Sequence, residues 1–475
     1  MTILDRMPRI PGPVPCLILL ILGSLALSQS AAHISRVVGM DFYQYWGVPV
    51  AMRLTGHTLG SPYRDGQRYV ETLKAYAATV NDAKLKAASG FWGGPDFAAS
   101  PLLYTAFTLV STDYTVAVQT FQALQLVFFL GAFLLLGALY RFDPFHLLCL
   151  AFLCVLFYQP LLSDLRVANL GCFQLIGLTG LLFLGGAIAR APFFLRRAGL
   201  GALFLAALAM LTLCKPNVAL ISALLAVHLG VRHGRRLFVA AALTAVIAAA
   251  LLLILPCLYF GSWTVWREWY DFVYGSNAHM LVRRVADGNF STAVLLSSWL
   301  GLDVYAVSLV LLGLLAASPI VAAGWSRIAG PPAGSSGGQA AVAALRRVFE
   351  DARLALGTGI VLTMAISPLY WLHYYVLLLI PALWLLNAPA RSGYVPGLAA
   401  LAVLMSSGIL EFVFRLLQWP GAIPASIALS WLPLWGAVLL HMSSPGALDA
   451  ASRHVGDAQP PARSAAAPSA RRRKR

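Results

Sequence analysis

Two short stretches near opposite ends of the chain, Gly39-Met40-Asp41-Phe42 and Ser367-Pro368-Leu369-Tyr370-Trp371-Leu372-His373-Tyr374, set a carboxylate and an imidazole at boundaries between apolar and polar sequence. An unpaired charge in hydrocarbon costs roughly 3 kcal/mol or more, so an ionisable side chain in such a place points to function. A carboxylate such as Asp41 can take a proton from a hydroxyl as it attacks. Lys215, in the corner Lys215-Pro216-Asn217, offers an anion a compact point charge, and Arg283 and Arg284 add cations to the same face. One carboxylate, several cations, a histidine and many aromatic residues are the parts that glycosyl transfer from a lipid phosphate uses. The carboxylate accepts the incoming hydroxyl's proton, the cations steady the departing phosphate, and aromatic faces suit sugar rings.

The elements that must position these groups are membrane helices. Of 475 residues, 59% are hydrophobic and 11% charged, and mean hydropathy is +0.77, outside the range of soluble domains. Apolar runs of about 17–25 residues recur from end to end, the length that carries an α-helix across the bilayer. The ~10-residue alternating segments of an outer-membrane barrel are absent. The expectation is an all-α polytopic membrane protein of about twelve spans. The first span runs over 11–31, and the others over 116–140, 145–162, 168–189, 199–214, 217–230, 237–260, 303–325, 355–370, 371–390, 394–413 and 425–442. Ser28-Gln29-Ser30-Ala31-Ala32 faintly resembles a signal-peptidase site, but the first run is expected to stay as an uncleaved helix.

Charge orients the bundle. With 101–110 read as a segment too short to cross, Arg141, the Arg190/Arg196/Arg197 and Arg232/Arg235/Arg236 loops, Arg327 to Arg353, Arg391 and the tail all fall on the cytoplasmic side. Residues 1–445 then form one transmembrane unit, with 32–100 as a large first extracytoplasmic loop and 327–353 as a cytoplasmic linker and amphipathic helix. Residues 446–475 read as a disordered basic cytoplasmic tail. Within the loop, 42–54 reads as an interfacial amphipathic helix and 68–88 as a second helix carrying Tyr69, Leu73, Tyr76 and Val80 on one side. The net charge of +16 is explained by these loops, and no nucleic-acid partner is expected, because no basic face interleaved with aromatic residues forms a folded unit. The six cysteines lie in or at the ends of apolar runs without metal-ligand spacing and read as small buried hydrophobes.

Each candidate has a plainer reading beside the chemical one. Lys215 can snorkel to the interface. Arg283 and Arg284 can meet lipid headgroups, Asp164 and Arg166 can pair as a latch, His373 can be a satisfied interfacial histidine, and Asp41 can cap the helix after it. A secondary transporter or flippase would place its polar site near the midplane on broken helices, and a ligase or polymerase of lipid-linked glycans would share the outer-face chemistry.

Asp41-Phe42 with Tyr45 and Trp46, then Gly56 and Ser61-Pro62-Tyr63, resembles the opening motif of glycosyltransferase family 87. The likeness continues through Asn169, Lys215-Pro216, Asn289-Phe290-Ser291, and Ser367-Pro368 with Trp371 and His373. Val167-Ala168 stand where the family often has Gln, and Tyr374 where it often has a second His. What the resemblance implies is a GT-C fold and a polyprenyl-phosphate-linked sugar donor, most often of mannose. It also implies a glycolipid or glycan acceptor, inversion at the anomeric carbon, and chemistry on the outer face of the inner membrane. It implies Asp41 as catalytic base and Lys215, His373, Arg283 and Arg284 as donor-phosphate ligands. Tyr45, Trp46, Asn169, Asn289 and Trp371 would bind substrate. No Asp-x-Asp pair occurs in the first loop, so neither metal nor other cofactor is expected.

Overall fold

A computed structural model describes residues 12–92, 97–276, 285, 288–328, 346–387, 394–419 and 421–443. The first thirteen helices are α1 Pro13–Arg36, α2 Met40–Leu54, α3 Gly66–Thr79, α4 Ala83–Trp92, α5 Pro101–Ala106, α6 Tyr114–Tyr140, α7 Pro144–Phe157, α8 Gln159–Val167, α9 Gly171–Arg190, α10 Phe194–Cys214, α11 Ala219–His233, α12 Arg235–Phe260 and α13 Val265–Tyr270. Thr292–Leu300, Val304–Ile328, Ala352–Ile366, Leu379–Leu386, Tyr394–Ser406, Ile409–Leu416, Ala422–Ala428 and Trp431–Ser443 follow. Among the described residues the only β pairing is a bridge between Asn289 and Trp371.

Among the described residues six helices are long and apolar enough to cross a membrane, and up to nine spans result if each of three bent pairs counts as one. The remaining expected spans correspond to shorter helices: α11, Ala352–Ile366, and Leu372–Leu386, whose first seven residues are 3-10 helix. Exposed Leu243, Val246, Ile247, Leu251 and Leu258 run along α12, and α1 buries only Gly23, Ala26 and Ser30. So much exposed apolar surface is matched by lipid rather than water. This is an all-α polytopic membrane protein.

The short helices lie at the centre. Leu354–Ala365 and His373–Leu385 are buried throughout, so their apolar faces meet protein on all sides. Gly359 shows how closely they pack: a Cβ there would stand 2.9 Å from the Ile221 backbone. Six free cysteines and no disulfide accompany this core.

Several expectations are corrected. The run 145–162 is two helices bent by 58°, since Pro160 at the start of α8 cannot continue the hydrogen-bond ladder of α7. Residues 42–54 are no interfacial helix, for Phe42–Met52 are all buried beneath α3, α5 and α8. Residues 68–88 form two helices, because Asp82 accepts from the Leu85 amide and starts α4 while also bonding the Thr115 hydroxyl and amide. Burial works to raise the Asp82 carboxyl, but these bonds override it and hold it below the ordinary range. Segment 101–110, by contrast, agrees with its reading as too short to cross: it contains only the six-residue α5, about 9 Å long. The expected amphipathic helix of 327–353, the tail 446–475, Arg283 and Arg284 fall wholly or largely outside the described residues.

Candidate functional site

Chain direction carries α8, the start of α9, the end of α10 and the start of α11 to one end of the bundle, where α2, α5 and the start of α6 lie. Arg190, Arg197 and Arg232 sit at the opposite ends of α9, α10 and α11. At the first end a cavity of about 920 Å³ opens, within the usual size for a small-molecule site. Asp41, Tyr45, Asn169, Lys215, Trp371 and His373 line it.

Helix α2 divides its residues by direction. Asp41, Gln44 and Tyr45, spaced i, i+3, i+4, share the face toward the cavity. Phe42 turns away onto Phe107, Tyr114 and Phe121 with ring centroids 5.7, 5.9 and 5.1 Å apart. Trp46, fully buried, packs 4.9 Å from Tyr114 and donates to the Ser111 carbonyl at 2.8 Å. Trp46 therefore sits off the cavity. Trp46→Ala is expected to destabilise the fold by about 3–5 kcal/mol, measured by thermal unfolding in detergent, while ligand affinity of the surviving folded protein stays as it was. The start of α2 is fixed by Gly39, whose φ is 74° and where a Cβ would overlap the Val118 side chain. Tyr114 clamps the same turn, donating to the Val38 and Gly39 carbonyls at 2.8 and 2.9 Å. Asp41 is the second residue of the helix and Gly39 its cap, so Asp41 is not the capping residue.

Asn169 sits between α8 and α9. Ala168 takes the left-handed conformation that closes α8, and the Asn169 amide donates to the Asp164 carbonyl at 3.2 Å. Asp164 does not pair with Arg166. Its buried carboxylate accepts from the Gly171 and Cys172 amides at 3.1 and 2.9 Å, which are orphan donors at the start of α9. Gln125 Nε2 bridges the Asp164 carboxylate at 3.0 Å and the Asn169 carbonyl at 2.8 Å. Arg166 instead is exposed at the cavity wall and makes no hydrogen bond or ion pair to any described residue.

Pro216 ends α10, since it cannot continue the ladder, and the preceding Lys215 adopts an extended backbone. Ser100 caps the freed Cys214 carbonyl at 3.0 Å. Lys215 is half-buried, donates to Asn169 Oδ1, and lies 4.7 Å from the Tyr374 ring centroid, a cation–π contact.

His373 is placed by a segment stitched to the Asn289 motif. Asn289 Nδ2 donates to the Pro368 carbonyl at 2.9 Å, and its Oδ1 accepts from the Tyr370 amide at 2.9 Å. Phe290 N donates to the Tyr370 carbonyl at 2.8 Å, and Tyr375 donates to the Phe290 carbonyl at 2.8 Å. Asn289 is thus fully buried and supports Trp371 and His373 from behind, outside the cavity lining.

The three candidate groups then converge on one amide. Asn169 Nδ2 donates to Asp41 Oδ2 and lies 2.9 Å from His373 Nε2, while Oδ1 accepts from Lys215 Nζ and from the Leu170 amide at 2.6 Å. Asp41 is, among the described residues, the only carboxylate lining the cavity. Gln44 does not figure among the residues expected from sequence, and Arg166 does so only as an outer-face cation read as a partner of Asp164. Gln44 was legible as the i+3 neighbour of Asp41, and Arg166 as a cation three residues before Asn169. Among the described residues no group of three or more His, Cys, Asp or Glu side chains gathers as a metal site.

Comparison of the chain with protein-family models, with curated proteins and with solved structures returns no match.

Proposed function

We propose that this chain is a membrane glycosyltransferase of the GT-C class, resembling family 87, which moves a sugar from a polyprenyl phosphate to a glycolipid or glycan acceptor with inversion. The observation that carries the reading is the convergence of Asp41, Lys215 and His373, drawn from separate parts of the chain, on Asn169 beside one cavity. In the reaction the acceptor oxygen attacks the anomeric carbon from the face opposite the phosphate. Asp41 takes the hydroxyl proton, the C–O bond to phosphate breaks, and the phosphate leaves with its new charge against Lys215. Tyr45 and Trp371 offer rings to the sugar, with mannose the favoured one. The six long apolar helices and three bent pairs among the described residues support a bundle of many spans. The arginine-rich ends lie opposite the cavity, which by the positive-inside rule turns the site toward the outer face of the inner membrane.

Arg166 is a second cation for the phosphate, where a guanidinium can bond two oxygens at once. Arg166→Gln is expected to weaken binding of a polyprenyl monophosphate about tenfold, read by titration of the detergent-solubilised protein; unchanged affinity removes Arg166 from the site.

The bend between α7 and α8 beside the cavity favours a second reading, a transporter or flippase of lipid-linked sugars, since such sites use broken helices. Proteoliposomes with radiolabelled polyprenyl-phosphate sugar separate the two. Product that disappears when the acceptor alone is omitted supports the transferase. Movement of the donor across the bilayer without acceptor modification supports the transporter.

A further inference from the structure

We infer that Asn169 is the positioning residue of this site, its side-chain amide holding the Asp41 carboxylate, the His373 ring and the Lys215 ammonium together and fixing the His373 proton on Nδ1. The consequence for turnover rests on the transferase reading; the position of the proton does not.

The orientation of the Asn169 amide follows from its partners. Oδ1 faces two donors, the Leu170 amide and the Lys215 ammonium, and Nδ2 faces the Asp41 carboxylate. A flipped amide would set its N–H groups against two donors and its oxygen against a carboxylate, losing the bonds to Leu170, Lys215 and Asp41 together. Nδ2 carries two hydrogens. One goes to Asp41 Oδ2, and the other points to His373 Nε2 at 2.9 Å. A proton on Nε2 would face that N–H head-on, so Nε2 presents its lone pair and the ring carries hydrogen on Nδ1.

The amide is held in this pose by its backbone. Its own N–H is tied to the Asp164 carbonyl and its C=O to Gln125, and Gln125, Asp164 and Asn169 are each 3% exposed or less. The donor of the Nε2 bond is therefore preset rather than recruited by a ligand. His373 thus meets the site as a hydrogen-bond acceptor toward Asn169, not as a cation pointing Nε2 at a phosphate, which leaves the anion to Lys215 and Arg166.

The test is spectroscopic and needs no substrate. The full chain is reconstituted in lipid bilayers with 15N-labelled histidine rings, and the signal that vanishes in His373→Gln is assigned to His373 among the nine histidines. The parent protein is expected to show Nδ1 protonated and Nε2 unprotonated at neutral pH. Asn169→Leu removes the donor, so a population with hydrogen on Nε2 is expected to appear. Hydrogen on Nε2 of the parent, in either the other tautomer or the doubly protonated ring, overturns the inference, as does an unchanged His373 signal in folded Asn169→Leu. Should Asn169→Leu fail to fold, Asn169→Ala serves in its place, and the parent spectrum decides on its own. A protein that transfers no sugar leaves the tautomer result standing, so failure of the transferase reading and failure of this inference are told apart.

Discussion

Asp41→Asn is expected to give a folded protein that binds the donor and loses at least ~100-fold in turnover, the usual size of a general-base contribution. The substitution preserves the size of the side chain and leaves an oxygen to accept from Asn169 Nδ2, so the packing of α2 is untouched. What disappears is the basic group that takes the acceptor's proton. No second carboxylate among the described lining residues stands ready to replace it. Purified enzyme assayed with saturating donor and acceptor checks the expectation, with donor affinity measured in parallel. Turnover near that of the parent with intact donor binding would remove Asp41 from the chemistry.

Lys215→Met is expected to weaken donor binding by ~10–100-fold, because a charge-assisted bond to phosphate contributes roughly 1.5–3 kcal/mol. Methionine keeps an unbranched stem of similar length, so the corner after α10 can still pack. Burial pushes the Lys215 ammonium down to about 8, although Asp41 and Asp164 pull it upward. A depressed ammonium is charged below that value and neutral above it, so donor affinity of the parent is expected to fall as pH rises through about 8. Lys215→Met should show no such step. Titration of a polyprenyl-phosphate analogue across pH 6–10 reads both effects, and a variant that binds as tightly as the parent refutes the assignment.

The candidate site was legible in the sequence where a residue broke the local pattern. Asp41, Lys215 and His373 stood out because charge and imidazole are rare in apolar surroundings, and all three line the cavity. Trp46 and Asn289 belonged to the same short motifs, yet motif membership carries no side-chain direction. Trp46 lies on the far side of α2 from Asp41, and Asn289 uses its amide on the backbone of Pro368 and Tyr370. The reading of 42–54 as interfacial failed for a related reason. Aromatic residues around a helix suit an interface and a buried packing site equally, and only the elements above it decide between them.

The sequence by itself determined the class of protein, the rough bounds of its long apolar helices, and the sorting of arginines to one end of them. These follow from hydropathy over about twenty residues and from charge in short loops, both of which are local properties. Tertiary structure decided which polar groups meet. Asp164 and Arg166 are two residues apart and do not pair, whereas Asp41, Lys215 and His373 are far apart and share one amide. Hydrogen bonds act over about 3 Å, and a buried donor or acceptor takes whichever partner the packing brings within that reach. The break of α7 at Pro160, the left-handed turn at Ala168 and the corner at Pro216 bring Asn169 and Lys215 within it.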